Sequence, residues 1–235
     1  MVGGLISALM TFGLAVPAIA SSPSQTELIG NNWRIFNVMP ATSSFWDINQ
    51  AKSVDSGGIE FPFQAYAATT SPTASFATYL QTNYNTDLTG KTITADVSWT
   101  AGTYVTRNGD PANVRIEFQD VASGKYTSND YWWYSGHLDL STTTTGILTA
   151  SLSDSSRANW TNVCGKPATD MTPNPSSNCV GGTDPAVSPY DGFTNAMKNV
   201  KSVSLSFGGE FFASGAAIDS TSSTATFNMS SFTIN

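Results

Sequence analysis

Arg115, Glu117 and Gln119 stand two apart in the run NVRIEFQDV, and the chain then reads KYTSNDYWWYSGHLDL from Lys125 to Leu140. In an extended strand successive side chains point to opposite faces. The three polar residues therefore share one face, and Val114, Ile116 and Phe118 share the other. The same parity divides the aromatic run, with Tyr131 and Trp133 on one side and Trp132 and Tyr134 on the other. One pair can enter a core, and the second must meet something else unless two layers bury both. A guanidinium, a carboxyl and an amide beside an indole ring suit a sugar. A pyranose offers its C–H face to the ring and its hydroxyl rim to hydrogen bonds worth about 1 kcal/mol net each. Arg115, Glu117 and Gln119 are thus expected to face outward with one member of the Trp132/Trp133 pair, as a shallow polysaccharide-binding surface. A solvated strand face with one ion pair would leave the same polar pattern. Trp160, beside Asn159 and Asn162 in RANWTNVCG, is a further candidate at the rim or, alternatively, packs against a disulfide. Trp33, Trp46 and Trp99 lie in apolar contexts and read as core.

Catalysis needs more than a platform. Retaining glycoside hydrolases place two carboxyl groups about 5 Å apart, and the chain has four glutamates: Glu27, Glu60, Glu117 and Glu210. Glu117 lies mid-strand, and Glu210 sits in SFGGEFFASG, where apolar neighbours would raise its pKa toward general-acid use. These two form the candidate catalytic pair if their strands are neighbours. A nucleophilic triad finds little support, because His137 is the sole histidine and no G-x-S-x-G elbow occurs. Histidine-rich zinc or copper centres are excluded on the same ground.

Residues 1–20, MVGGLISALMTFGLAVPAIA, are apolar and end in Ala18-Ile19-Ala20, the small-x-small pattern of a signal peptide. The mature chain is expected to start at Ser21, to be secreted, and to keep no stable membrane association; an uncleaved anchor is the alternative. Net charge is −7, from 17 acids against 10 bases, with no basic block. That argues against a nucleic-acid partner, which requires clustered Lys and Arg. Cys164 and Cys179, the only cysteines, are expected to form one disulfide in an exported chain, stabilising it by roughly 3 kcal/mol in the chain-entropy model.

Holding such a face requires strands. Ile59, Phe61 and Phe63 alternate with Gly58, Glu60 and Pro62, the proline marking an edge. TITADVSW puts Ile93, Ala95, Val97 and Trp99 on one face. Residues 120–125 read as a hairpin connection, 146–153 as a strand with Leu148, Ala150 and Leu152 inward, and Val203, Leu205 and Phe207 repeat the pattern. In ATFNMSSFTIN the apolar parity changes, which calls for a bulge near Ser230 and Ser231. One short helix is expected over Asp191–Val200, from Phe193, Met197 and Val200 at helical spacing, with Asp191 as N-cap. TSSFWDINQAKS fits helix or strand. Residues 21–30 read as a flexible lead-in and 31–235 as a single all-β sandwich domain.

The order from Leu88 to Asn235, LTGKTITADVSW, NVRIEFQDV, the aromatic strand, FTNAMKNVKSVSLSFGG and a closing ATFNMSSFTIN, resembles the jelly-roll carbohydrate-binding modules, the galactose-binding-like β-sandwiches. The resemblance implies a jelly roll and a polysaccharide or glycan partner. It implies ligand contacts from Trp132 or Trp133, Tyr134, Arg115, Glu117 and Gln119. It also implies a structural calcium, which would recruit Asp219 and Asp47 among the six to eight oxygens it needs. Low charge, abundant Ser and Thr and the apolar N-terminal segment also permit a structural or adhesive extracellular protein.

Overall fold

A computed structural model describes residues 33–38, 45–50, 52–53, 58–67, 75–120, 127–173, 187–209, 214–221 and 223–235. The expected signal peptide, lead-in and hairpin tip, together with Glu210 and Cys179, lie outside these residues. The strands are β1 (Arg34–Val38), β2 (Phe45–Gln50), β3 (Lys52–Ser53), β4 (Ile59–Phe63), β5 (Ala65–Tyr66), β6 (Phe76–Thr86), β7 (Thr92–Trp99), β8 (Tyr104–Val105), β9 (Asn113–Gln119), β10 (Tyr131–Asp139) and β11 (Thr145–Ser151). A 3-10 helix at Asp154–Asn159 leads into β12 (Trp160–Asn162). Helix α1 (Pro189–Lys198), β13 (Val200–Gly208), β14 (Ala217–Asp219) and β15 (Ala225–Ile234) follow.

These strands make an all-β jelly-roll sandwich. One sheet has seven strands in the order β12-β10-β9-β13-β6-β1-β2, and the other has five, β11-β7-β15-β4-β3. A small sheet, β5-β14-β8, stands beside them. The chain passes repeatedly from one large sheet to the other, so the apolar half of each alternating strand meets its counterpart across the interior. Phe207 of the seven-stranded sheet packs edge-on against Phe61, Phe63 and Phe227 of the five-stranded sheet, with ring centroids 5.0–5.3 Å apart. Trp33 and Trp99 are buried in this core as expected; the side chain of Trp46 lies outside the described residues.

Local signals hold closely. β7 covers TITADVSW as read, and the register of β15 against β7 shifts between Met229 and Ser231, the expected bulge. β3 reaches only Ile59 and Glu60, leaving Pro62 of β4 beyond its end, as an edge proline requires. The N-cap differs from expectation. Ser188 caps α1, its Oγ accepting from Asp191 N at 3.1 Å, with Pro189 opening the first turn. Asp191 sits inside that turn, where its Oδ2 accepts from Ser188 Oγ at 2.9 Å. The 3-10 helix is an addition to the single expected helix. Arg157 ties it to α1: Nη1 donates to Tyr190 O at 2.7 Å, Nη2 to Thr194 Oγ1 at 3.0 Å and to Asp154 Oδ1 at 2.6 Å.

Candidate functional site

β9 lies inside the seven-stranded sheet, between β10 and β13. Its even residues, Val114, Ile116 and Phe118, enter the sandwich core, so its odd residues occupy the outer face. Register then builds transverse rows across the sheet. One row runs Trp133, Glu117, Ser204, Gln81 and Arg34 on β10, β9, β13, β6 and β1. A second runs Tyr131, Gln119, Ser202 and Asn83, and a third His137, Arg115, Ser206 and Tyr79. The arrangement follows from period-two alternation on four adjacent strands.

The structure therefore brings Arg115, Glu117, Gln119 and Trp133 to one face, but not as an exposed one. Arg115 and Gln119 are each 5% exposed, Trp133 is 5% exposed and Glu117 is fully buried. The expectation of an outward, solvated triplet is corrected. Two of its side chains are joined, and the next strand extends the network: Gln119 Nε2 donates to Glu117 Oε1 at 2.8 Å, and Gln81 Nε2 donates to Gln119 Oε1 at 3.3 Å and to Ser202 Oγ at 2.5 Å. Ser204 Oγ donates to the Glu117 carbonyl at 3.5 Å. Among the described residues Glu117 Oε2 has no hydrogen-bond partner. Burial pushes its carboxyl up to about 8, opposed by the Gln119 amide. A carboxyl of that kind is protonated at neutral pH and can both donate and accept.

The other candidates separate from this face. Trp132 is fully buried in the core against Phe193, centroids 5.1 Å apart, its Nε1 donating to Asn129 O at 2.7 Å. Both tryptophans of the pair are thus buried, where one was expected exposed. Tyr134 takes the core side too, 5.2 Å from Trp160. Trp160 is in β12, edge-on to Phe118, with Nε1 donating to Ser151 O at 2.8 Å; it is a core residue and not a rim platform. Tyr131 and Trp133 instead join Val163, with Cys164 beside them, in a small cluster apart from the main core. Cys164 is not a free thiol; its expected partner Cys179 is outside the described residues.

Asp219 is exposed on β14, while Asp47 is on β2, in register with Phe36 in the seven-stranded sheet. The two expected calcium ligands thus sit on different sheets. Among the described residues no three His, Cys, Asp or Glu side chains form a metal-ligating group. Gln81, Ser202 and Ser204 belong to the site and were not among the sequence candidates. Their signal was present in the polar half of TYLQTN and of SVSLSFG, each legible by alternation.

The sequence matches no family model and no characterised protein.

Proposed function

We propose that this chain is a secreted protein that binds a polysaccharide through the outer face of its seven-stranded sheet, centred on Trp133 and Glu117. The observation that carries this reading is the row in which an indole, a carboxyl, a hydroxyl and an amide succeed one another on four neighbouring strands. Stacking on the indole and paired hydrogen bonds to Glu117, Gln119 and Gln81 match the two kinds of surface a sugar presents. Glu117 Oε2, which has no partner among the described residues, is a place for a ligand hydroxyl. Because these side chains are buried, binding requires that the ligand gain entry to the face, and the ordering involved subtracts from affinity. Export from Ser21 and a Cys164–Cys179 bridge belong to the same proposal.

The test is retention of the secreted protein on a panel of insoluble polysaccharides. Retention of the wild type, lost in Glu117→Gln and weakened in Trp133→Phe with the circular dichroism spectrum preserved, is the expected result. A folded wild type that no polysaccharide retains would overturn the proposal.

The raised pKa of Glu117 favours a second reading, a glycoside hydrolase in which Glu117 is the general acid. That chemistry needs a second carboxyl, and its candidate, Glu210, lies outside the described residues. Release of reducing ends by the wild-type protein from a polysaccharide that retains it separates catalysis from binding alone.

A further inference from the structure

The hydrogen bonds on the outer face of the seven-stranded sheet have a direction. An amide nitrogen only donates and an amide oxygen only accepts, whereas a hydroxyl and a protonated carboxyl do both. Gln81 Nε2 donates to Ser202 Oγ and to Gln119 Oε1, so both of its hydrogens are used within the protein. With its oxygen taken by Gln81, Gln119 turns its nitrogen to Glu117 and donates to Oε1. Gln81 reaches this point from β6 across β13, two strand spacings or about 10 Å from β9. The small serines of β13, Ser202 and Ser204, are what it passes over.

The reverse direction works only for a neutral Glu117. Ser202 Oγ and Gln119 Nε2 would then donate to Gln81 Oε1, and Gln119 Oε1 would demand a proton from Glu117. The observed direction serves the carboxyl whether it is charged or neutral. It commits Oε1 to accepting, so the proton of the neutral acid belongs on Oε2. That atom is buried and has no partner among the described residues, and a buried polar atom left so is costly.

We propose that Gln81 is a positioning residue for Glu117: acting through Gln119, it fixes Oε1 as an acceptor and keeps the proton on Oε2, so that Glu117 meets its ligand as a hydrogen-bond donor. The ligand half of this statement rests on the polysaccharide-binding reading, and the orientation half does not. The ligand atom at Oε2 is then an acceptor oxygen of the sugar.

Infrared difference spectroscopy of the folded protein at neutral pH, where Glu117 is protonated, tests the orientation. Loss of a band in Glu117→Gln identifies the C=O stretch of the protonated carboxyl, which the Gln119 donor on Oε1 lowers. Gln81→Lys, a donor only, should leave that band in place. Gln81→Glu, an acceptor only when ionised, should turn Gln119 over and raise the band, because the C=O loses its donor. Gln81→Met adds no charge and should move the band the same way by less; it decides the matter if a charged variant fails to fold. Retention on the polysaccharide that holds the wild type should fall about tenfold or more in Gln81→Glu. A band that no Gln81 variant moves, or that the Lys and Glu variants move alike, would overturn the proposal. So would the absence of any band sensitive to Glu117→Gln. A band that splits as expected with retention unchanged would overturn the donor role toward the ligand. A wild type that no polysaccharide retains removes the binding reading, and the band still decides the positioning.

Discussion

Glu117 sets the pH behaviour of this fold. Its carboxyl titrates at about 8 in the folded chain against an ordinary 4.5, because burial disfavours the charged form. An acid raised in this way supports the fold fully below its unfolded value. It loses that support as pH climbs through about 8, because the folded state then retains a proton the unfolded chain has released. Stability should therefore decline from about pH 5 to about pH 9, by no more than about 1.4 kcal/mol per pH unit for this one group. Arg115 on the same strand, His137 and Tyr131 on β10, Tyr79 on β6 and Arg34 on β1 are the other ionisable groups of these rows. Asp120, raised to about 6 by burial and by Asp130, with Lys201 opposing, adds a slope of the same sign at lower pH. Denaturant titrations should show the alkaline part flattened in Glu117→Gln and the Asp120 part retained. An unchanged profile in that variant would assign the pH dependence to another group.

At the scale of elements, the attachment of α1 decides how firmly one end of the sandwich is closed. Ser188 supplies its cap, so Ser188→Ala should cost about 1 kcal/mol in denaturant unfolding. Gly192 stands so close to Asn129 that a Cβ there would overlap its side chain. Asn129 Oδ1 accepts from Asn162 Nδ2 at 3.1 Å, and its carbonyl accepts from Trp132 Nε1. Gly192→Ala must displace this contact or the helix, and should destabilise by roughly 1–3 kcal/mol as an overpacking change. A neutral Gly192→Ala would mean that α1 is less closely seated than the geometry describes. Phe193 of α1 packs on Trp132, Phe118 and Trp160, so a loosened helix exposes the aromatic end of the core.

For the whole molecule, the two faces of the seven-stranded sheet predict opposite consequences for adjacent tryptophans. Trp132→Ala opens the main core and should destabilise by about 3–5 kcal/mol. Trp133 packs in the smaller Tyr131–Val163 cluster, so Trp133→Ala should cost less, and it alone should reduce polysaccharide retention in the fraction that stays folded. Equal losses of stability, with retention untouched by either, would remove Trp133 from the site. Intact mass of the secreted protein under non-reducing conditions should correspond to residues 21–235 less the two hydrogens of a Cys164–Cys179 bridge. Alkylation of both thiols in the native protein would exclude the bridge.

The positions and faces of β4, β7, β9, β10, β11, β13 and β15, with the β15 bulge, were legible in the residue order, whereas β1 and the long β6 that carries Gln81 were not read from it. The legible ones rest on alternation, which is a property of near neighbours and survives without knowledge of the fold. TITADVSW and NVRIEFQDV name their own inner and outer residues. The cap of α1 was misread by three residues because Asp191 and Ser188 are both competent caps, and only the path of the chain chose between them. What the outer face meets is a different kind of fact. Gln81 reaches Gln119 across 38 residues of sequence and Ser202 across 121, and no local pattern encodes which distant strand will stand alongside. Alternation separates one side of a strand from the other, but it does not say that both sides will be buried. Pairing of β10, β9, β13 and β6 in one order set Gln81 and Ser202 beside the polar triplet, and the tertiary structure buries that triplet, expected in solvent, as a hydrogen-bonded layer around a carboxyl of raised pKa.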